Sequence, residues 1–160
     1  TVSRMLAERR ADLHVTLLDL PGVLNVAREI NARSPVAPRL SYHPANSRTD
    51  PLPAGFDAVL YAGALHQESL ESALALCKSF HRALRPHGRL FVVDLMLNDD
   101  RTQPTFSALF QLTMMLLNPS SRVFSTGELT NLLEQTGFEE VSIREAASSP
   151  YRLVEARRRD

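Results

Sequence analysis

Apolar residues recur along this chain with two different periods, and the alternation between those periods predicts its elements. Val2, Met5 and Leu6 are spaced three to four apart, so residues 2–10 read as the tail of an amphipathic helix. His14–Leu18 is a β-rich apolar run that stops at a carboxylate, Asp19. Pro21 then opens a helix carrying Val23, Leu24, Val26, Ala27 and Ile30. The prolines of "RSPVAP" end it, because proline has no amide hydrogen to give a helix interior. Leu40–His43 is a short strand, and "NSRTDPLPAG" is a loop of turn-forming residues.

"FDAVLYAG" reads as the next buried strand. In "QESLESALALCKSFHRAL" the apolar positions Leu70, Ala73, Leu74, Cys77, Phe80 and Leu84 follow helical spacing, with Pro86 and Gly88 of "RPHG" as stop signals. "RLFVVDLML" is too apolar for a one-sided sheet and predicts a fully buried strand. A very apolar helix spans Pro104–Leu117 and ends at "NPSS". Ser125 with Glu128 three residues later is a capping box, opening a helix with Leu129, Leu132 and Leu133 that ends at Gly137. "FEEVSIREA" and "YRLVEARR" alternate roughly and are joined by a short turn containing Pro150, which suggests an antiparallel pair at the sheet edge. Strands alternating with helices, the central strands wholly apolar, indicate an α/β fold with a mostly parallel sheet covered on both faces.

Composition narrows the function classes. The 160 residues carry 18 Lys plus Arg against 18 Asp plus Glu, so no overall field favours nucleic acid or an anionic membrane. The basic run Arg157–Arg159 reads as a solvated terminus. No apolar run approaches the roughly 18 residues that span a bilayer, and the N-terminus lacks a signal-peptide core, so a cytoplasmic location is expected. The single cysteine, Cys77, excludes an internal disulfide and falls on a helix's apolar stripe, where a packed thiol is expected. No two histidines lie at metal-ligand spacing, so no metal site is expected.

Four stretches, in order, carry a resemblance: "VTLLDLPGV", "DPLPAGFDAVLYAGALH", "HRALRPHGRLFVVD" and "MMLLNPSSRVFSTGELTNLLEQTGFEEVSI". With them the chain resembles the class I S-adenosylmethionine-dependent O-methyltransferases, in particular the plant caffeate-type and bacterial polyketide-type enzymes. The resemblance implies a Rossmann-like methyltransferase fold of strand order 3-2-1-4-5-7-6 with an antiparallel last strand. It also implies cofactor above the carboxyl ends of the strands.

An acid just past a buried strand can accept a ribose diol, or it can simply cap a helix; the resemblance favours the diol for Asp19 and sets Leu20 against the adenosine. Asn46 falls where the family has the acid that receives the adenine amino group, with Ser47 beside it; a turn-forming Asn is the plainer reading. Ala62 ends the family's fourth strand on the cofactor side. The resemblance makes His66 the general base that deprotonates the acceptor hydroxyl, whereas an isolated histidine there would read as a capping or solvated residue. Asn118, Met114 and Phe110 match the acceptor side, Phe106 shares their helix, and plain core packing is the alternative.

The departures are as informative. The family's "HDWSDE" is "HQESLE" here, and the carboxylate that orients the histidine after "NP" is replaced by Val123, which cannot accept a hydrogen bond. The six glycines, at 22, 55, 63, 88, 127 and 137, form no cluster. The family's first strand, glycine-rich loop and N-terminal dimerisation domain are therefore expected to lie outside residues 1–160, which form one incomplete catalytic domain that alone binds cofactor poorly. The implied partners are a small-molecule hydroxyl acceptor and, in the full-length protein, a second subunit. A degenerate, non-catalytic scaffold is the alternative, and a nicotinamide-dependent dehydrogenase a more distant one.

Overall fold

A computed structural model describes residues 2–145 and 149–160, in two compact units, Thr1–Pro51 and Leu52–Asp160. Thr1 and Ala146, the last residue of the expected "FEEVSIREA" strand, lie outside the described residues.

In the first unit, helix α1 (Val2–Arg9) precedes strand β1 (Val15–Asp19), helix α2 (Pro21–Asn31) and strand β2 (Leu40–Pro44). β1 and β2 pair in parallel, Val15 opposite Leu40 and Asp19 opposite Pro44. Ala7, Val36 and Leu40 pack with Val15, Leu17 and Tyr42. Arg39 ties the end of α1 to the loop that follows it: its guanidinium donates to the carbonyls of Ala7 (2.6 Å) in the last turn, whose oxygens the helix leaves without an internal partner, and of Arg10 (2.8 Å) and Leu13 (3.0 Å) beyond it. α2 buries Leu24 and Ala27 and leaves Val23, Val26 and Ile30 exposed.

The second unit contains β3 (Phe56–Ala62), α3 (Leu70–Ala83), β4 (Leu84–Leu95), α4 (Thr105–Leu117), α5 (Thr126–Gln135), β5 (Phe138–Glu145) and β6 (Tyr151–Arg158). Its sheet order is β3-β4-β6-β5, parallel between β3 and β4 and antiparallel on both sides of β6. That sheet has the order 4-5-7-6 of the expected topology, and the first unit's pair has its 3-2. The main core joins Leu76, Cys77 and Phe80 of α3, Leu90 and Val92 of β4, Leu129, Leu132 and Leu133 of α5, and Phe138.

Four expectations need correction. β3 is not a buried strand: Leu60 is 41% exposed, because β3 is the edge of its sheet and pairs only with β4 among the described residues. Leu70 is exposed because it opens the first turn of α3, and the buried stripe runs through Ala73, Leu76, Cys77, Phe80 and Ala83. α3 stops at Ala83, before "RPHG"; the left-handed residue there is His87 (φ 62°), while Gly88 is required by close approach, since a Cβ would stand 2.9 Å from the Arg85 carbonyl oxygen. Arg157–Arg159 is not a merely solvated tail: Arg157 pairs with Glu139 (2.7 Å) and Glu140 (2.8 Å), and Arg158 donates to the Leu84 carbonyl.

Cys77 is the packed thiol its position predicts. Burial pushes its pKa up to about 12, so almost no thiolate exists near neutral pH. A thiol-directed reagent is expected to label the native protein far more slowly than the denatured one; equal rates in both states would place the sulfur at the surface.

The capping box at α5 forms as the sequence predicts. Ser125 Oγ accepts from the Glu128 amide, and Glu128 Oε2 accepts from the Ser125 amide. Asp99 adds a second acidic cap, accepting from the Gly127 amide (2.7 Å) and the Ser125 hydroxyl (2.8 Å), and these bonds hold its carboxyl below the ordinary 3.8. Burial alone would raise Glu128, but bonds from Arg122 and the Ser125 amide, with the charge of Arg101, hold it below 4.5. A lowered folded-state pKa stabilises above the unfolded-state value and loses that contribution as pH falls through the folded-state value. Urea midpoints are therefore expected to drop as pH falls below the ordinary carboxylate values of 3.8 and 4.5, and to drop less in Asp99→Asn; an identical profile for the variant would remove Asp99 from the cap.

Candidate active site

The strongest chemistry lies in the second unit, after the carboxyl ends of the parallel neighbours β3 and β4. Gly63, at φ 68°, turns the chain out of β3 and donates to the Val93 carbonyl (2.8 Å). A short 3-10 turn, Leu65–Gln67, then presents His66 just before α3. β4 delivers Asp94 to the same place. Its carboxylate accepts from the amides of Leu65 (2.7 Å) and Leu95 (2.7 Å), with a longer contact from His66 N (3.4 Å).

The same carboxylate meets His66 Nδ1 at 2.7 Å, with the side chains only 11% and 1% exposed. A carboxylate that takes three amide hydrogens is an acceptor, so Nδ1 is the ring nitrogen that donates to it, and in a neutral imidazole the lone pair then falls on Nε2. Nε2 has no hydrogen-bond partner among the described residues. The imidazole is thus held in the tautomer a base requires, in a setting of low polarity.

Sequence reasoning missed Asp94. The signal was present: one carboxylate inside the apolar run "LFVVDLML", where an unpaired charge is costly and a partner is required. The absence of an orienting group at Val123 stands. Val123 is fully buried and packs with Leu95 and Leu97, next to Ala108 and Phe110. The acid that holds the histidine comes instead from the strand.

α4 supplies the aromatic neighbours. Phe110 stands edge-on to the His66 ring, centroids 5.1 Å apart, and Phe106 stacks on Phe110 at 6.2 Å. Core packing does not describe this helix: Ser107 is its one fully buried residue, Phe106 is 56% exposed, and Leu109, Leu112, Met115, Leu116 and Leu117 are exposed. Phe110 and Met114 are half-buried. Asn118 ends α4, exposed, with its Oδ1 accepting from the Ser120 amide and hydroxyl, a turn-forming arrangement. Ala62, the last residue of β3, is exposed.

The remaining candidates belong to the first unit. Asp19 is exposed at the end of β1 and is not the helix cap: Leu20 is, with no side-chain cap bond, while Asp19 Oδ1 accepts from the Leu20 amide at 2.8 Å. That leaves the other carboxylate oxygen open to a ligand. The Asp19 carbonyl accepts from Ala45 N at 3.0 Å, so Asn46 and Ser47 follow at the same end of the β1–β2 pair. Asn46 Oδ1 accepts from Arg48 N at 3.1 Å and closes a turn, and Asp50 accepts from the Asn46 amide at 2.8 Å. Leu20 is half-exposed, and Ser47 is half-buried. Among the described residues no three His, Cys, Asp or Glu gather as a metal site, and no helix is long and apolar enough to cross a membrane.

Comparison with known proteins bears on this arrangement. A family model described as an O-methyltransferase domain matches residues 5–139. The demethylspheroidene O-methyltransferase of Rhodobacter capsulatus is 31% identical over 139 residues, 87% of this chain and 34% of that protein. The tetracenomycin polyketide synthesis 8-O-methyl transferase TcmO of Streptomyces glaucescens is 30% identical over 91% of this chain and 42% of its own length. The chain thus spans well under half of these curated relatives. The apo crystal structure of the S-adenosylmethionine-dependent methyltransferase SibL superposes with a TM-score of 0.88 at 32% identity, covering 98% of this chain and 47% of that one. An O-methyltransferase structure from Nostoc punctiforme, at 22% identity and TM-score 0.90, shares the Rossmann-like fold.

Proposed function

The chain belongs to the O-methyltransferase domain family, and from that premise we propose that it carries the cofactor and acceptor residues of an S-adenosylmethionine-dependent enzyme. The acceptor is a hydroxyl of a small aromatic or polyketide-like molecule, and His66 is the general base. The observation that carries the reading is the Asp94–His66 pair, with Nδ1 bound to the acid and Nε2 bearing the lone pair. TcmO, whose name assigns it O-methyl transfer in polyketide synthesis, supports the acceptor class.

The first unit's residues fit the cofactor. Asp19 has a carboxylate oxygen open for a ribose diol, and Leu20 offers apolar surface beside it. Asn46 has a second lone pair on Oδ1 for an adenine amino group, with Ser47 adjacent. Bound S-adenosylmethionine would supply the methyl group as an electrophile.

The rest of the chemistry belongs to the chain's own side chains. His66 Nε2 takes the hydroxyl proton as the acceptor oxygen gains its methyl group. Asp94 keeps Nδ1 protonated and offsets the positive charge that the imidazole acquires. Phe110 limits rotation of the ring and, with Phe106 and Met114, offers an apolar face to an aromatic acceptor. Asn118 borders that face. In the full-length protein we place this unit in a cytoplasmic homodimer, as the family resemblance implies. Methyl transfer by the full-length protein to phenolic acceptors, with and without His66, tests the reading; no transfer by the unaltered protein would favour the scaffold alternative.

A further inference from the structure

We propose that Gln111 is a positioning residue that sets Phe110 over His66 by tying α4 to the segment Ser121–Phe124. This rests on the reading of His66 as the acceptor's base. α4 is weakly held for a helix beside an active site, with one fully buried residue and a largely exposed apolar face. Among the described residues, the side-chain hydrogen bonds that leave the helix and its own ends come from one residue. Gln111 Oε1 accepts from the Val123 amide at 2.5 Å, and Gln111 Nε2 reaches the Ser121 carbonyl at 3.5 Å.

The segment that Gln111 grips is itself fixed to the base. Arg122 N donates to the His66 carbonyl at 3.2 Å. Leu97 N donates to the Phe124 carbonyl and Thr126 N to the Leu97 carbonyl, which anchors the segment to the end of β4 just beyond Asp94. Arg101 donates to the Val123 carbonyl at 3.2 Å, so both backbone polar groups of this buried residue are satisfied by side chains. The Val123 side chain packs beside Phe110 in the cluster with Leu95 and Leu97. One amide therefore couples the helix that carries Phe110 to the backbone that carries His66. A primary amide is the group for this, because it accepts from one backbone position while donating to another.

The tether also accounts for a valine at position 123. Its side chain contributes packing, its backbone contributes the tether, and orientation of the imidazole is left to Asp94.

The test uses the full-length protein with two variants. Gln111→Met keeps the length and removes the acceptor; Gln111→Glu restores an acceptor for the Val123 amide. Gln111→Met is expected to raise the KM for the acceptor by about tenfold, as misplacement of a binding wall does, while the KM for S-adenosylmethionine stays within about twofold. Gln111→Glu is expected to recover part of the loss, because it restores the acceptor for the Val123 amide but places a second carboxylate oxygen where Nε2 faced the Ser121 carbonyl. An acceptor KM unchanged in Gln111→Met, or both KM values rising together, would overturn the proposal. Solution NMR gives an answer without turnover: the Val123 amide should exchange faster, and the Phe110–His66 ring contact should weaken, in Gln111→Met. Persistence of both features in that variant would overturn the tether even if the parent protein transfers no methyl group.

Discussion

Replacing His66 with alanine is expected to lower kcat/KM for methyl transfer by roughly a hundred- to ten-thousand-fold, the usual contribution of a positioned general base. The fold should survive the change. His66 sits on a one-turn 3-10 element, and its ring contacts are Asp94 and Phe110 rather than the main core. The backbone amides of Leu65 and His66 still donate to Asp94 in the variant, so the turn keeps its anchor. Binding of S-adenosylhomocysteine should therefore change little while transfer collapses. Denaturant midpoints within a small shift of the parent, together with the rate loss, would separate chemistry from folding. Retention of full activity by His66→Ala would remove the histidine from the mechanism.

How much of this was legible beforehand depends on what each residue had to report. The helices and strands announced themselves because apolar period and turn residues agree: Ser125 with Glu128 forms the capping box the spacing promised, and the apolar run of β4 is the inner strand of its sheet. Exposure was harder, since it depends on neighbours. "FDAVLYAG" has the composition of a buried strand, yet β3 is an edge among the described residues. α4 is as apolar as a core helix and still shows Phe106, Leu109 and Leu112 to solvent, because periodicity reports what a residue can pack against and not whether a neighbour is there.

The site shows the same division. His66, Phe110 and Met114 could be placed on their elements by sequence, but the partner of His66 could not. Asp94 is 28 residues away, and only the parallel register of β3 with β4 (Ala62 opposite Val93) brings the two ends side by side. Family spacing puts the orienting acid at position 123, where this chain has a buried valine. Gln111 was invisible for a related reason: a glutamine on a helix ordinarily faces water, and its function depends on two backbone groups ten and twelve residues further along.

Asp94→Asn is expected to cost both activity and stability, for one geometric reason. The carboxylate has acceptors on both sides: Oδ2 takes the Leu65 amide, and Oδ1 takes the Leu95 amide and His66 Nδ1. An asparagine has one acceptor and one donor end. With its NH2 at the Oδ1 position it opposes the Leu95 amide and forces His66 Nδ1 to accept, moving the ring proton to Nε2 and abolishing the base. Turned the other way, it keeps the tautomer but sets its NH2 against the Leu65 amide. Either arrangement leaves a buried donor unsatisfied, at a cost of about 1–3 kcal/mol. When the tautomer is the one that gives way, the rate should fall by as much as ten-thousand-fold, the loss seen when an orienting acid of this type becomes an amide. Chemical denaturation reads the first effect. The nitrogen shifts of the His66 ring read the second directly, moving the proton from Nδ1 to Nε2. A variant that keeps both the parental ring shifts and the parental denaturation midpoint would show that Asp94 does not hold the histidine.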